Sequence, residues 1–354
     1  MKMKFLATGI GSMPFTDPEQ AVDVSLTKVA NAPFWPQLPQ LAFTEQMVNQ
    51  FCEGIPCIVV DQENKRIYFN TAGDCRNKLA EFYKKYDAAM NPQTGDGDCA
   101  FMKITPEFSR GICAMEKRLQ SLGRKLPFVK VQTTGPFTFA LTLADEKKRP
   151  IYFNDKFRDV ATKALAMKCR WQIRKFQPFA ERIICFVDEP ILSAIGSSAF
   201  GLIKREAVVS HLAELIAAIH ADHAIAGIHC CGSSDWSALA DAGADIISFD
   251  AYGFGDSIVL YPDAVRMHLQ RGGMLAFGII PTSKSIREES TQSLEERLEG
   301  LIDQLASKGI DRSLIVEQAL ITPACGTGLL EPEDALKVFD LLDRLSEAMR
   351  EKYQ

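Results

Sequence analysis

One short motif and one distant cysteine could together bind a metal ion. His229-Cys230-Cys231 follows an apolar run, and Cys325 lies in a loop bounded by proline and glycine. Residues two apart in an extended segment point the same way, so His229 and Cys231 can face one ion while Cys230 points aside. Imidazole and thiolate ligands favour zinc, and three protein ligands with an open fourth position are typical of a catalytic site. A single His-x-Cys is more often part of a core, and the alternative for Cys325 is a buried cysteine in a turn.

Acidic residues follow two other apolar runs. Asp188-Glu189-Pro190 comes after one of them, and Asp250 ends another. The proline restricts Glu189 to extended geometry, so the two neighbouring carboxylates project differently. One can bind a substrate ammonium while the other pairs with a nearby cation, and the alternative is a salt bridge at the protein surface. Asp250 can be a fourth zinc ligand that leaves when a substrate thiolate arrives, or the acceptor that holds a zinc-bound imidazole.

Short apolar runs alternate with longer amphipathic stretches, which indicates βαβ units and a parallel sheet. An eighth strand, beyond seven clear ones, is predicted near Phe34–Leu41, where prolines weaken the pattern. The clear strands are predicted at Phe5–Gly9, Phe128–Gln132, Arg182–Val187, Ala224–Ile228, Asp245–Phe249, Met274–Ile279 and Leu314–Leu320. Helices are predicted at Phe157–Gln177, Glu206–His220, Ser293–Lys308 and Pro332–Glu351.

Eight such units predict an α/β fold, a single (β/α)₈ barrel domain over residues 1–354. The polar residues that follow the strands then gather on one rim, which is where catalysis takes place in such barrels. A doubly wound sheet is the competing architecture, but its first turn is usually richer in glycine than Gly9-Ile10-Gly11-Ser12.

Residues 57–125 fit the alternating pattern least and are predicted as an insertion on the barrel. Ile58–Val60 and Arg66–Asn70 are predicted to pair as a β-hairpin. Asn91–Asp98 is predicted as a loop, since it contains a proline and two glycines. The insertion is either a lid or structural decoration.

Charge and composition exclude several classes of function. The formal net charge is -5 and the basic run Lys147-Lys148-Arg149 is short, so no nucleic acid is expected as a partner. No apolar stretch approaches the roughly 20 residues that span a bilayer, and the first one is too short for a signal peptide. We therefore expect a cytoplasmic protein, without a membrane partner, whose ten cysteines stay reduced. Seven of these are expected as buried core thiols, namely Cys52, Cys57, Cys75, Cys99, Cys113, Cys169 and Cys185.

The ordered set of motifs at the predicted strand ends resembles the catalytic C-terminal barrel of cobalamin-independent methionine synthase, in the superfamily shared with uroporphyrinogen decarboxylase. The motifs are Ile10-Gly11-Ser12-Met13-Pro14, Thr134-Gly135-Pro136, Asp188-Glu189-Pro190, His229-Cys230-Cys231, Asp245-Ile246-Ile247-Ser248-Phe249-Asp250 and Thr322-Pro323-Ala324-Cys325-Gly326. The resemblance covers nearly the whole chain and implies a (β/α)₈ barrel. It implies zinc held by His229, Cys231, Asp250 and Cys325. It also implies that the backbone at Gly11-Ser12 binds a substrate carboxylate and that Asp188 binds the substrate amine.

Departures from the family bear on the methyl donor. The family's glutamate ligand is replaced by the shorter Asp250, and its His-Gly-Glu motif by Pro39-Gln40-Leu41. The folate-contacting glutamate is replaced at about Ala194, the Arg-Cys folate pair is not apparent, and the catalytic histidine is replaced near Ile280-Pro281-Thr282. The family's full-length enzyme also has an N-terminal barrel, for which this chain has no room. We therefore expect the donor to be a methylated corrinoid protein rather than methyl-folate.

The expected activity is zinc-dependent methyl transfer to a small-molecule, homocysteine-like thiol, giving methionine. A free thiol is mostly protonated at neutral pH, whereas coordination to zinc deprotonates it. Asp188 and the Gly11-Ser12 amides would orient an amino-acid thiol. One alternative is a metal-free enzyme like uroporphyrinogen decarboxylase, which would need an arginine cluster. Others are a methylcobamide:thiol methyltransferase acting on a thiol without an amino group, and a non-catalytic zinc- or corrinoid-binding protein.

Overall fold

The structure is a computed structural model, and it describes residues 3–72, 74–91, 98–195, 197 and 200–354. These residues include seven parallel strands in one curled sheet and a separate antiparallel pair. The strands in chain order are β1 (Leu6–Ala7), β2 (Ile58–Asp61), β3 (Arg66–Phe69), β4 (Leu126–Thr134), β5 (Ala180–Asp188), β6 (Ile225–Cys230), β7 (Ile246–Phe249), β8 (Met274–Ile280) and β9 (Ala319–Pro323). The sheet has the order β1-β9-β8-β7-β6-β5-β4, and β2 pairs with β3.

Helices alternate with these strands, as the sequence pattern predicts. They are α1 (Pro18–Lys28), α2 (Cys75–Met90), α3 (Arg110–Leu122), α4 (Pro136–Thr142), α5 (Asp155–Phe176), α6 (Arg205–Ala221), α7 (Trp236–Asp241), α8 (Ala251–Val259), α9 (Pro262–Gln270), α10 (Thr291–Ser307), α11 (Arg312–Glu317) and α12 (Pro332–Lys352). The four helices predicted at Phe157–Gln177, Glu206–His220, Ser293–Lys308 and Pro332–Glu351 are confirmed as α5, α6, α10 and α12, with ends that differ by up to two residues.

The strands of the sheet are buried on both faces, as parallel strands in an α/β fold are. In β5, Ile184 and Phe186 belong to a small apolar cluster with residues of the other strands. The alternating residues Cys185 and Val187 belong to the large core that includes the helices. Alternate side chains therefore fill the inside of the curl and the layer beneath the helices.

The prediction of a strand over Leu314–Leu320 is wrong for most of its length. Residues Arg312–Glu317 form α11, and the strand β9 begins only at Ala319. Asp311 caps this helix, because its carboxylate accepts a hydrogen bond from the Ser313 amide at 2.9 Å. A run of buried apolar residues cannot by itself distinguish a short helix from a strand.

The predicted eighth strand at Phe34–Leu41 does not form as a strand, and the segment makes two isolated parallel bridges, Phe34 with Lys130 and Ser12 with Gln37. The amide of Lys130 donates to the Pro33 carbonyl at 2.8 Å, and the amide of Gln37 donates to the Gly11 carbonyl at 2.9 Å. The segment therefore bonds to β4 at one edge of the sheet and to the turn that follows β1 near the other edge. Its prolines lack an amide hydrogen, which explains why no continuous ladder forms.

The insertion at residues 57–125 contains the predicted hairpin, confirmed as β2 and β3, followed by α2 and α3. Within the loop predicted at Asn91–Asp98, residues 92–97 lie outside the described part of the chain. Cys57 and Cys75 form a disulfide with a Cα–Cα distance of 5.4 Å. The expectation that these two cysteines are free core thiols is therefore wrong. The β2–β3 hairpin lies between the two cysteines, and their spacing in the sequence carries no signal for the disulfide.

Among the described helices, none combines the length and the apolar character that crossing a membrane requires.

The register of three neighbouring strands matters for the site. Asp188, at the end of β5, is the register partner of His229 in β6, which in turn pairs with Ser248 in β7. Three neighbouring strands thus carry these side chains to the same end of the sheet.

Candidate metal centre and substrate pocket

A histidine and two cysteines come together at the carboxyl ends of two strands. His229 lies in β6 and Cys231 directly follows it, while Cys325 lies two residues beyond β9. One ligand atom from each residue lies within 4.8 Å of the other two. The structure thus brings together three of the four residues that the sequence predicts as zinc ligands. A set of one imidazole and two thiolates has the chemistry of a zinc site with an open position.

The ring of His229 is oriented by a serine on the neighbouring strand. Its Nδ1 lies 2.9 Å from the hydroxyl of Ser248, and the ring is buried. Its Nε2 is also buried and forms no hydrogen bond with the described residues. Because Nδ1 can donate to the serine oxygen, the lone pair of Nε2 is left for a metal ion.

The two thiols interact with each other. A hydrogen bond with Cys325 is the largest cause that lowers the pKa of Cys231, and the nearby His229 lowers it further. The same interaction, together with burial, raises the pKa of Cys325. One thiolate therefore forms readily here, as a soft metal ion requires.

Asp188 and Glu189 have separate surroundings, as expected, but only Asp188 lines the pocket beside His229, Cys231 and Cys325. Asp188 is buried, and its Oδ1 has no hydrogen-bond partner among the described residues. Burial raises the pKa of Asp188 to about 6, although Lys130 and His229 oppose this rise. An unpartnered buried carboxylate oxygen at a pocket wall is suited to binding a cationic ligand group.

Glu189, predicted to bind substrate or pair with a cation, instead caps the first turn of α4. Its carboxylate accepts from the amides of Phe137 and Thr138, both at 2.8 Å, and from the Thr138 hydroxyl at 2.6 Å. A Cβ atom at Gly135 would lie 2.2 Å from the Glu189 side chain, so the close approach requires glycine. Both carboxylate oxygens are used, which leaves Glu189 a supporting role.

Asp250, predicted as a ligand or as the imidazole acceptor, takes neither position here. Its Oδ1 accepts from the Gly253 amide at 2.6 Å and caps α8. The partner of the His229 imidazole is Ser248, and the group of possible metal ligands, His229, Cys231 and Cys325, does not include Asp250. Burial and the charge of Cys231 both raise the pKa of Asp250. Direct ligation by this residue stays a prediction.

The turn Ile10-Gly11-Ser12 lies beside the pocket, whose lining includes Ile10 and Ser12. The carbonyl of Gly11 accepts from the Gln37 amide, and the carbonyl of Ser12 accepts from the amide and hydroxyl of Thr327 at 2.8 and 2.9 Å. The amides of Gly11 and Ser12 have no acceptor among the described residues. Backbone amides without an acceptor are available to donate hydrogen bonds to an anion.

One cavity of about 280 Å³ is lined by Ser12, Asp188, His229, Cys231 and Cys325 together with apolar neighbours. Its walls are mainly apolar, and the polar side chains that line it are few. The lining residues are Ile10, Ser12, Gln37, Pro39, Glu45, Met47, Asp188, Pro190, His229, Cys231, Cys325, Gly326, Gly328 and Leu329. A few convergent polar groups in an apolar cavity are typical of a small-molecule site.

Two buried charged residues of this region are absent from the sequence predictions. Glu45 lines the cavity with its Oε2 unpartnered among the described residues, while Arg110 of the insertion lies 3.3 Å from its Oε1. Burial raises the pKa of Glu45 to about 7. Lys130 lies fully buried in β4. The lysine could have been noticed because it interrupts an apolar strand, whereas Glu45 ends a 3-10 helix of three residues, which is too short to show periodicity.

Comparisons with known proteins support the fold. No protein-family model matches the sequence, and no curated protein matches it. A methyltransferase from Methanosarcina mazei is similar at 12% identity with a TM-score of 0.55, covering 99% of this chain and 94% of that one. A B12-independent methionine synthase from Shewanella sp. W3-18-1, in complex with selenomethionine, is similar at 14% identity with a TM-score of 0.60, covering 100% and 99%. At these identities the likeness is one of fold, with an α/β sheet curled as in barrel proteins.

Proposed function

We propose that this protein is a zinc-dependent methyltransferase that transfers a methyl group to the sulfur of a small thiol. The observation that carries the proposal is the grouping of His229, Cys231 and Cys325 within 4.8 Å at the wall of an apolar cavity. When bound there, zinc would supply Lewis acidity, which deprotonates a substrate thiol at neutral pH. The two similar structures are a methyltransferase and a methionine synthase, which agrees with the proposal.

The chain's own residues would orient an amino-acid thiol such as homocysteine. Asp188 and Glu45 each have a buried, unpartnered carboxylate oxygen, and a substrate ammonium would satisfy both. The free amides of Gly11 and Ser12 would donate hydrogen bonds to the substrate carboxylate. The apolar walls would exclude water, which strengthens these interactions. The product of methylation would then be methionine.

We also propose that the sheet closes as a (β/α)₈ barrel. The proposal is supported by the segment that carries Phe34 and Gln37, which bonds both to the turn after β1 and to β4. Closure would hold the Gly11-Ser12 turn beside Asp188, which a sheet with two open edges would not do. We keep the cytoplasm as the proposed location, because eight of the ten cysteines are free thiols and only the Cys57–Cys75 pair is bonded among the described residues.

For the methyl donor we propose a methylated corrinoid protein. The sequence lacks the folate-contacting residues of the family it resembles, at Ala194 and near Ile280-Pro281-Thr282. Leu329 lines the cavity and is 93% exposed, so an apolar side chain is available to a donor at the cavity mouth. A metal-free decarboxylase is disfavoured, because none of the residues that line this cavity is an arginine.

The first test is the metal content of protein purified without added metal. We expect about one zinc per chain in the wild type and little in Cys325→Ser or His229→Ala, because each removes one of three ligands. Cys230→Ser is the matched control, since its thiol contacts the Gly232 carbonyl at 3.6 Å instead of the cluster. A wild type without zinc, even after reconstitution under reducing conditions, would contradict the proposal.

The second test is turnover. Zinc-loaded protein is incubated with homocysteine and either methylcobalamin or a methyl-folate, and methionine is measured. We expect methionine from the corrinoid donor alone. Formation only with methyl-folate would refute the donor assignment and leave the zinc mechanism, whereas a zinc-loaded protein inactive with all donors and thiols would favour a binding protein.

A further inference from the structure

Lys130 is a fully buried cation that has no role in the proposed function. It lies on β4 with its side chain fully buried, and its Nζ is 4.7 Å from the centre of the Phe186 ring and 5.9 Å from that of Phe34. Among the described residues no carboxylate lies within 4.0 Å of this Nζ, unlike the buried Arg170, which pairs with Asp222 at 2.8 Å. A buried charge without a close partner is costly, so its presence needs an explanation.

The ammonium of Lys130 holds the turn that presents the free amides. Its Nζ donates to the Ile10 carbonyl at 2.6 Å and to the Gln132 Oε1 at 3.0 Å. Gln132 is fixed in turn, because its Nε2 donates to the Trp35 carbonyl at 2.9 Å. The strongest contact of the cation is therefore the peptide group between Ile10 and Gly11.

The geometry of that peptide links the lysine to the pocket. In a trans peptide the carbonyl and the amide hydrogen point in opposite directions, and the described chain has no cis peptide bond. With its carbonyl on Lys130, this peptide presents the Gly11 amide on the opposite side. A charged donor on a carbonyl also polarises the peptide, which makes its amide a stronger donor.

Lys130 stays mainly protonated at neutral pH, and its positive charge attracts an anion. Burial lowers the pKa of Lys130 to about 8, and the nearby Asp188 limits the fall. No lysine or arginine lines the cavity itself. Lys130 is therefore a cation that contacts the turn directly, through its hydrogen bond to the Ile10 carbonyl.

We propose that Lys130 is a positioning residue that fixes and polarises the Ile10–Ser12 turn, so that the pocket selects thiols that carry a carboxylate. The inference rests on the proposed function for the thiol, but the lysine acts on the carboxylate end of the substrate. It predicts a change in binding preference without a loss of metal.

The experiment compares two thiols by calorimetry on the zinc-reconstituted protein. One is homocysteine, and the other is 3-aminopropane-1-thiol, the same compound without its carboxylate. We expect the wild type to bind homocysteine at least about tenfold more tightly, which is the scale of a hydrogen bond to a charged group. Lys130→Met should reduce this ratio to near one, keep its zinc and bind the aminothiol as the wild type does.

Lys168→Met is the matched control, because Lys168 is also fully buried but lies on α5, and its Nζ is 3.5 Å from the Met102 carbonyl. It should keep the wild-type preference. Should Lys130→Met fail to fold, Lys130→Gln takes its place, since it retains a donor but not the charge. The affinity ratio of the two thiols for the wild type can be measured even if neither variant folds.

Three outcomes would overturn the inference, namely equal binding of the two thiols by the wild type, an unchanged preference in the Lys130 variant, or no binding of either thiol. Zinc content and methionine formation are measured on the same samples. A protein that prefers homocysteine but forms no methionine refutes the proposed function and leaves the role of Lys130. An active protein without the preference refutes only the role of Lys130.

Discussion

At the residue scale, the decisive contact is the one that orients His229. Its Nδ1 meets Ser248 at 2.9 Å, and this leaves Nε2 for the metal. Partners of this kind fix the tautomer of a ligating histidine, and their loss typically weakens metal binding by about 10–100-fold. The serine would therefore be as much a part of the proposed metal centre as its three ligands.

We accordingly predict that Ser248→Ala weakens zinc binding by about one to two orders of magnitude, because the imidazole loses its partner. The measurement is a competition with a chelator of known zinc affinity. Ser346→Ala is the control, since this serine donates to the Phe5 carbonyl at 2.7 Å, away from the cluster. Equal zinc affinity in wild type and Ser248→Ala would show that the serine does not orient the ligand.

Sequence alone identifies the residues that end strands but not what their side chains contact. His229, Cys231 and Cys325 are predictable, because soft ligands at strand ends are rare and converge in an α/β sheet. Ser248 belongs to the motif that ends at Asp250, yet which of the two faces His229 depends on the register of β6 with β7. Asp250 directly follows β7, and there it caps a helix.

At the element scale, the first turns of helices use the acids that the sequence suggests for chemistry. Glu189 accepts three hydrogen bonds from α4, and Asp250 one from α8. Amides in the first turn of a helix lack partners within the helix, so a nearby carboxylate satisfies them. An acid after a parallel strand is therefore ambiguous, because the next element is usually a helix whose start needs a cap.

The insertion gives an element-scale prediction, since Cys57 before β2 is joined to Cys75 at the start of α2. We expect eight titratable thiols in protein denatured without reductant. Cys57→Ser should release one further thiol and lower the free energy of unfolding by about 3 kcal/mol, the scale for a loop of this length. Cys113→Ser, at a free thiol, is the control. Ten titratable thiols in the wild type would contradict the disulfide.

At the scale of the whole molecule, the two ends of the sheet have different tasks. The carboxyl ends of the strands carry the group of His229, Cys231 and Cys325. The opposite end carries buried groups that hold helices to strands. His268 of α9 is one of these, with its Nε2 3.0 Å from the carbonyl of Met274, where β8 begins. Burial of this histidine depends on its packing against Gly273, whose absent Cβ leaves room for the ring.

Burial lowers the pKa of His268 from 6.5 to about 4, with Arg271 lowering it further and Asp245 opposing the fall. The neutral ring is therefore favoured in the folded state. Its contribution is fully present above the unfolded pKa and is lost as the pH falls from about 6.5 towards 4. We predict a loss of up to about 3 kcal/mol in the free energy of unfolding over this range, measured by urea denaturation at several pH values. His268→Gln, which keeps a donor but does not titrate, should show a flatter dependence, and parallel curves for the two proteins would assign the acid sensitivity to other groups.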